Sequence, residues 1–248
     1  ILVQIMPGAS DRTFSLSPDD AVFLDFDGTL ASLQDDADSV FLAQGMDRVL
    51  RACANRLDGA LAVMSGRDLD DLSRRVPDSL WRFGNHGLRA SAPGGLATES
   101  PAAAPNGLVA ALSGISDTYA GVRLEPKGPV LAVHYRAAPG VEAELKSALS
   151  GAIAPFADYS LQHGKMVFEA KPSAANKGAC LLRAMQSKPF LGRRPIMIGD
   201  DTTDEDAFAA AQSAGGIAVK VGEGATVALH HLDSVQDVHA LLKEFASI

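Results

Sequence analysis

The chain has 248 residues, of which 47% are hydrophobic and 21% are charged, and its formal net charge at pH 7 is −8. This length and composition allow a substantial buried core, at a size where chains begin to divide into two domains. The acidic balance argues against nucleic acid or an anionic membrane as a partner, because both favour a basic surface. No apolar run approaches the ~20 residues that span a bilayer.

The N-terminal segment and the two cysteines predict a cytoplasmic protein. Residues 1–6 are mostly apolar, but no basic region precedes them and the stretch is too short for a signal peptide. Cys53 and Cys180 lie far apart and lack the spacing of metal ligands. We therefore expect two core thiols and no disulfide.

The first predicted strand, 21–24, is an unbroken apolar run that leads into two carboxylates, Asp25 and Asp27. Such a run is typical of a parallel strand that is buried on both faces of an α/β sheet. Open α/β sheets bind ligands at the carboxyl ends of their strands. Two carboxylates there repel each other by roughly 3 kcal/mol at about 5 Å and an effective dielectric of ~20, which predicts a divalent cation.

Two other interpretations of this motif are a calcium-binding loop and a solvated acidic turn. An EF-hand loop that starts at Asp25 needs glycine at its sixth position and glutamate at its twelfth. Leu30 and Asp36 stand there instead, so a calcium loop is excluded. The acidic turn remains an alternative on these residues alone.

The sequence Asp25-Phe26-Asp27-Gly28-Thr29-Leu30 after a buried strand resembles the first motif of the haloacid dehalogenase superfamily, in its DxD phosphatases. The resemblance implies an α/β fold with a Rossmann-like parallel-sheet core. It also implies that Asp25 is the nucleophile and Asp27 the general acid and base.

The second motif of the superfamily is expected at Ser65. Apolar residues at helical spacing predict a helix over 41–57, and an apolar strand over 60–64 then ends at Ser65. Ser65 or Asp68 is also a plausible N-cap for a helix over 69–76. The resemblance assigns the Ser65 hydroxyl to the transferred phosphoryl group, and backbone N–H groups at a helix-opening turn also face an anion.

A strand from Trp81 leads into Asn85-His86-Gly87, which on its own residues is compatible with an ordinary turn. The resemblance extends substrate contacts to four residues of these two loops, namely Gly66, Arg67, Asn85 and His86.

The stretch Ser91–Gly107 is rich in Ala, Pro, Gly and Ser and marks a domain boundary. Beyond it we expect helices over 108–119 and 141–156 and strands over 122–124, 130–136 and 165–170. The alternation of apolar and polar residues over 130–135 predicts an antiparallel sheet with one covered face. We therefore predict a core formed by 1–92 and 171–248 and an inserted α+β domain over 93–170, which resembles a superfamily cap.

After the insert, Ser173 is the expected N-cap of a helix that holds Lys177 in its first turn. The helix macrodipole disfavours a cation there by ~0.3–1 kcal/mol, which suggests an anionic partner, although a solvated lysine is the alternative. This position matches the third motif of the superfamily, so the resemblance makes Lys177 catalytic.

A last acidic cluster follows the apolar strand over 195–199. A capping box with Thr203 at the N-cap and Asp206 three residues later explains the later acids. It leaves Asp200 and Asp201 unexplained, and with Asp25 and Asp27 these suit Mg²⁺, which takes one or two carboxylates and several waters. A strand over 216–221 and a helix over 234–245 close the chain.

The insert also resembles a narrower family, the trehalose-6-phosphate phosphatases, in Glu125-Pro126-Lys127, in 132–136 and in 164–172. The resemblance implies sugar contacts by Glu125, Lys127 and Glu169, for which surface ion pairs are the alternative. It implies that Mg²⁺ is held by Asp25, the Asp27 backbone carbonyl and Asp200, with Asp201 and Asp204 orienting the metal or its waters. Leu88 and Arg89 depart from the family pattern.

The function that the resemblance implies is Mg²⁺-dependent hydrolysis of trehalose 6-phosphate through an aspartyl-phosphate. The alternatives are another sugar phosphatase, a phosphosugar mutase and a non-catalytic sugar-phosphate sensor. A sensor is expected to have lost Asp25 or Asp27, and this chain has both. A small-molecule sugar phosphate is the expected partner, and a monomer is compatible with the sequence.

Overall fold

The computed structural model describes residues 14–99, 102–164 and 166–247, which form two compact units. One unit contains the residues up to Thr98 and those from Asn176 onward, and the second runs from Glu99 to Ala175. The division predicted from the sequence, at 92/93 and 170/171, lies a few residues earlier at both points. The apolar segment 1–6 lies outside the described residues.

The described residues contain eleven strands and seven α-helices. The strands are β1 (Asp20–Asp25), β2 (Leu61–Met64), β3 (Trp81–Gly84), β4 (Arg89–Ser91), β5 (Arg123–Lys127), β6 (Val130–His134), β7 (Tyr159–Gly164), β8 (Val167–Pro172), β9 (Arg194–Gly199), β10 (Ile217–Val221) and β11 (His230–Leu232). The helices are α1 (Met46–Arg56), α2 (Leu69–Leu72), α3 (Asn106–Thr118), α4 (Glu142–Ile153), α5 (Lys177–Ala184), α6 (Glu205–Ser213) and α7 (Val235–Ser247).

The first unit is built on a seven-stranded sheet in the order β11-β10-β9-β1-β2-β3-β4. All pairings are parallel except that of β3 with β4. The central strand β1 is buried along its whole length, as its apolar run predicted. Because β1 pairs with β2 on one side and β9 on the other, the carboxyl ends of these three strands are neighbours. This edge of the sheet positions the candidate site, and the α/β prediction is confirmed.

Some helix and strand limits differ from the prediction. Helix α1 begins at Met46 rather than at residue 41, because Gly45 has a left-handed backbone with φ of 83°. Helix α2 has four residues and ends well before Pro77. The short strands β4 and β11 and the polar strand β7 were missed, because none of them has a long apolar run.

The second unit has an antiparallel sheet in the order β5-β6-β8-β7. Helices α3 and α4 pack against the sheet. The core between them includes leucines of α3 and α4 and alternate residues of β6 and β8, such as Leu131, Val133, Phe168 and Ala170. The predicted pattern of one covered face is therefore correct. The residues that alternate with these along the strands lie on the opposite face of the sheet, and Glu125 and Glu169 are among them.

Both cysteines are free and buried, as predicted, and burial raises the pKa of each thiol to about 11. Among the helices that the structure describes, none is long and apolar enough to cross a bilayer. The cytoplasmic location stays a prediction.

Candidate active site

The loop after β1 closes tightly on the end of β9. Gly28 has a φ of 82°, which is unfavourable for residues with a side chain. A Cβ atom built on Gly28 would lie 2.1 Å from Oδ2 of Asp200. Only glycine therefore allows the DxD loop and the Asp200 carboxylate to be this close.

Asp25 lies at the end of β1 and is paired with Lys177. Oδ1 of Asp25 accepts a hydrogen bond from Lys177 Nζ at 2.5 Å, and Oδ1 of Asp204 accepts another at 2.6 Å. The three side chains are between 0% and 6% exposed. The single ammonium group thus bridges two carboxylates in a site that excludes water, which fixes the orientation of Asp25.

Burial and charge act in opposite directions on this pair. Burial raises the pKa of Asp25 well above its usual value, and Lys177 partly counteracts this effect. Burial alone would lower the pKa of Lys177, but Asp204 and Asp25 outweigh it, so that pKa rises. Lys177 is therefore a permanent cation beside the Asp25 carboxylate.

Lys177 is the first residue of α5, as predicted, but the predicted N-cap was wrong. Asn176, not Ser173, caps the helix, and its side chain accepts a hydrogen bond from the Ala179 N–H at 2.9 Å. Because Asn176 has an extended backbone, the helix cannot continue back along the chain to Ser173. The carboxylates of Asp25 and Asp204 offset the unfavourable interaction of Lys177 with the helix macrodipole.

Asp204 ties the loop after β9 to Lys177. Its Oδ2 accepts hydrogen bonds from the N–H groups of Asp200 and Asp201 at 3.1 and 3.0 Å. Asp201 and Asp204 form the capping box of a short 3₁₀ turn, so the predicted box of Thr203 and Asp206 was wrong. The box lies two residues earlier because Asp204 is also bound to Lys177.

Asp201 lies outside the buried cluster. It is exposed, and its Oδ1 accepts hydrogen bonds from the N–H and the hydroxyl of Thr202. These contacts give Asp201 a capping role, and its predicted role toward a metal stays a prediction.

Asp200 completes a cluster of three carboxylates. One oxygen each of Asp25, Asp200 and Asp204 lie within 4.8 Å of one another. Asp200 Oδ1 accepts a hydrogen bond from Thr29 Oγ1 at 3.1 Å, and its backbone carbonyl accepts one from Lys220 Nζ. Burial, followed by repulsion from Asp204, raises the pKa of Asp200 to about 6.

The cluster fits a hard divalent cation. Lys177 binds one oxygen of Asp25, and Thr29 binds one oxygen of Asp200. Each of these two carboxylates therefore has a second oxygen that can bind a metal. Both oxygens of Asp204 are already engaged by Lys177 and by backbone N–H groups. Two carboxylate ligands plus waters is a usual donor set for Mg²⁺, and Asp25 and Asp200 are the two carboxylates of the cluster that fit it.

The side chain of Asp27 turns toward Arg67 rather than into the carboxylate cluster. Its two oxygens accept hydrogen bonds from Arg67 Nε and Nη2 at 2.7 and 2.6 Å. Arg67 also binds Asp71 and the Ala37 carbonyl oxygen. The hydrogen bonds to Asp27, which outweigh the effect of burial, raise the pKa of Arg67. Arg67, predicted to contact substrate, here positions Asp27.

Ser65 lies at the end of β2 and is buried, next to the end of β1. Its hydroxyl oxygen accepts a hydrogen bond from the Arg67 N–H at 3.1 Å. Gly66 follows Ser65 in the chain, and a Cβ atom built on it would lie 2.6 Å from Cε1 of His86. The Ser65 loop and His86 are therefore in direct contact, as expected of two loops that share a site.

Asn85 connects the His86 loop to the start of helix α2 through hydrogen bonds. Its Oδ1 accepts a hydrogen bond from the Leu69 N–H at 3.1 Å, and its Nδ2 donates to Asp68 at 3.2 Å. Both Asn85 and His86 have positive φ angles, which few non-glycine residues adopt. Asp68, one of the two predicted caps, is the N-cap of α2.

The three predicted sugar-binding residues lie in the second unit. Glu125 and Lys127 are on β5 and Glu169 is on β8. Glu125 Oε2 is 2.7 Å from His134 Nε2 and 3.4 Å from Lys127 Nζ. The hydrogen bond with His134 lowers the pKa of Glu125, which stays ionised at neutral pH.

Thr29 and Lys220 are site residues that the sequence reasoning missed. Lys220 is 5% exposed although it carries a charge. A lysine inside the apolar strand over 216–221 was the available signal, because buried lysines need an anionic or carbonyl partner. The threonine after Gly28 gave no comparable signal.

Comparison with known proteins identifies the family of this chain. The trehalose-phosphatase family model matches residues 23–236. The chain belongs to the trehalose-phosphatase family. The trehalose-6-phosphate phosphatase of Escherichia coli (strain K12) is 36% identical over 237 residues, which cover 94% of this chain and 88% of that protein. The predicted family is thus confirmed, and the chain is an enzyme, a phosphomonoester hydrolase.

Solved structures show the same fold as this trehalose-phosphatase family member. The C-terminal domain of C. albicans trehalose-6-phosphate phosphatase superimposes with a TM-score of 0.76 at 21% identity, over 93% of each chain. A haloacid dehalogenase-like hydrolase from B. subtilis superimposes with a TM-score of 0.66 at 16% identity, over 92% of this chain and 99% of that one. The predicted haloacid dehalogenase-like fold is confirmed.

Proposed function

We propose that this enzyme hydrolyses trehalose 6-phosphate to trehalose and phosphate through an aspartyl-phosphate intermediate, with Mg²⁺ as cofactor. The observation that carries the proposal is the buried Asp25–Lys177–Asp204 arrangement at the carboxyl end of β1. It supplies an oriented carboxylate nucleophile and a fixed positive charge for a phosphoryl group. The name of the E. coli relative supports the choice of substrate.

In the first step, a carboxylate oxygen of Asp25 attacks phosphorus, and the bond from phosphorus to the sugar oxygen breaks. Asp27 gives a proton to that departing oxygen, which leaves as the sugar hydroxyl. In the second step, Asp27 takes a proton from a water molecule that attacks the phosphoryl group. The acyl-phosphate bond breaks, so Asp25 is regenerated and inorganic phosphate leaves. Dividing the reaction in this way replaces one difficult step by two easier ones.

Asp27 must leave its partner before it can transfer a proton. Both of its oxygens accept hydrogen bonds from Arg67, so neither is free to hold an acidic proton in this arrangement. Substrate binding therefore has to displace one of the two Arg67 contacts. Ser65, which lies at the neighbouring strand end, is suited to donate its hydroxyl hydrogen to a phosphoryl oxygen.

Mg²⁺ would be held by Asp25 and Asp200, with the Asp27 backbone carbonyl as the third protein ligand. Bound there, the ion supplies positive charge that offsets the phosphoryl oxygens. Lys220 and Thr29 hold Asp200 in place from two sides. Asp204 keeps Lys177 beside Asp25, so the nucleophile does not depend on the ion alone for its orientation.

The test is phosphate release from a panel of substrates with and without EDTA. We expect trehalose 6-phosphate to give a higher specificity constant than glucose 6-phosphate, sucrose 6-phosphate or an aryl phosphate. EDTA should abolish turnover and added Mg²⁺ should restore it. Preference for glucose 6-phosphate would refute the trehalose assignment, and full activity in a metal-free sample would refute the metal assignment.

A further inference from the structure

A row of side chains crosses the polar face of the sheet in the second unit. In the strand register, Glu125 is opposite Ala132, Ala132 is opposite Glu169, and Glu169 is opposite Gln162. Residues directly opposite each other in an antiparallel sheet point to the same face. The two predicted sugar-binding glutamates and Gln162 therefore share one face, with only the Ala132 methyl group between the glutamates.

This face is separate from the one that packs against the helices. The residues that alternate with the row, such as Leu131, Val133 and Phe168, belong to the buried core with α3 and α4. The row spans all four strands, and at about 4.8 Å per strand its ends are about 14 Å apart. That length exceeds one pyranose ring and leaves room for two.

Gln162 carries a buried acceptor without a donor. Its Oε1 atom is buried, and none of the residues that the structure describes donates a hydrogen bond to it. A buried polar atom left unpaired costs about 1–3 kcal/mol. Its neighbour in the row, Glu169, has a carboxylate group and cannot donate when ionised. The described residues therefore provide no donor for Oε1, and a hydroxyl group of a bound molecule can serve as one.

We propose that Gln162 is a further substrate-binding residue, whose side-chain amide binds a sugar hydroxyl at the β7 end of this row. The inference rests on the proposed function. A sugar hydroxyl group can donate to Oε1, for which the described residues provide no donor. The ionised glutamates only accept hydrogen bonds and Lys127 only donates them, whereas the amide of Gln162 can do both. Gln162 is also uncharged, unlike the glutamates and Lys127 on this sheet.

The test compares Gln162→Met with Ser160→Ala. Methionine has a similar length but lacks the amide, and Ser160 is an exposed residue on the same strand and the same face. We expect Gln162→Met to lower kcat/KM for trehalose 6-phosphate about 5- to 30-fold, through KM. Turnover of an aryl phosphate should be unchanged, and Ser160→Ala should match the wild type with both substrates.

Thermal stability separates a binding role from a structural one. Because Gln162→Met removes an unpaired buried acceptor, its melting temperature should equal or exceed that of the wild type. A lower melting temperature with equal losses for both substrates would show a structural role, and an unchanged kcat/KM for trehalose 6-phosphate would overturn the proposal. A wild type that is inactive with trehalose 6-phosphate would instead refute the proposed function.

Discussion

The candidate active site of the first unit and the predicted sugar contacts of the second unit differ in how far their charged side chains are exposed. In the first unit, Lys177 and its two carboxylate partners are at most 6% exposed. In the second unit, Glu125, Lys127 and His134 are between 33% and 52% exposed. The buried charges are fixed before substrate arrives, as electrostatic catalysis requires. The exposed charges cost little to hold and are accessible to hydroxyl groups, so the two kinds of ion pair suit the different roles that we propose for them.

The largest expected effect comes from removing the nucleophile. Asp25→Asn should lower turnover of every phosphate ester by at least about a thousandfold and leave no acid-stable phosphoenzyme to trap. Asp27→Asn should still form the phosphoenzyme with an aryl phosphate, because that leaving group needs little help from an acid. Near-normal turnover by Asp25→Asn would contradict the covalent mechanism.

The next effect compares a buried lysine with an exposed one. Lys177→Met leaves Asp25 and Asp204 buried without their cation, which should destabilise the fold by about 3–5 kcal/mol. Lys127→Met removes a partner from an exposed pair and should cost no more than about 1 kcal/mol. Urea denaturation at one pH measures both. Equal midpoints for the two variants would mean that the difference in burial has no energetic consequence.

A third prediction concerns the metal and needs no turnover. Mg²⁺ at a hundred times its dissociation constant should stabilise the folded enzyme by about 2.7 kcal/mol. Asp200→Asn should remove this shift in a thermal melt, because it removes one of the two carboxylate ligands. The matched control is Asp201→Asn, the exposed neighbour, which should keep the shift. Loss of the shift in both variants would argue against the ligand assignment.

The smallest expected effects belong to the second unit. Glu125→Ala, Lys127→Ala and Glu169→Ala should each reduce kcat/KM for trehalose 6-phosphate by roughly ten- to a hundredfold, or about 1–3 kcal/mol. Aryl phosphate turnover should barely change, because in the proposed mechanism the first unit supplies the chemistry and these residues supply remote binding energy. If the variants impair both substrates equally, these residues do not read the sugar.

The sequence predicted the elements whose local pattern is strong. Strands β1, β2 and β9 are apolar runs that end in Asp25, Ser65 and Asp200, and parallel topology brings such ends together. For this reason the residue pattern alone was enough to predict that these three strand ends are neighbours, which the strand pairing confirms.

What the sequence missed depends on contacts between distant residues. Asp27 and Arg67 are far apart in the chain, and no local pattern shows that they pair. The acidic loop over 200–206 contains two possible capping boxes, and the contact of Asp204 with Lys177 selects the earlier one. Lys220 reaches Asp200 from a neighbouring strand, which only the sheet order reveals.

The close approach of Gly28 to Asp200 limits how this enzyme can be redesigned. Any side chain at position 28 would need a left-handed backbone and would also overlap a carboxylate oxygen. A library aimed at new sugar substrates should therefore keep position 28 constant and place its diversity on β5, β7 and β8. Variation there alters side chains on the polar face of the second sheet, whereas variation at Gly28 would displace Asp200 and the loop after β1 together.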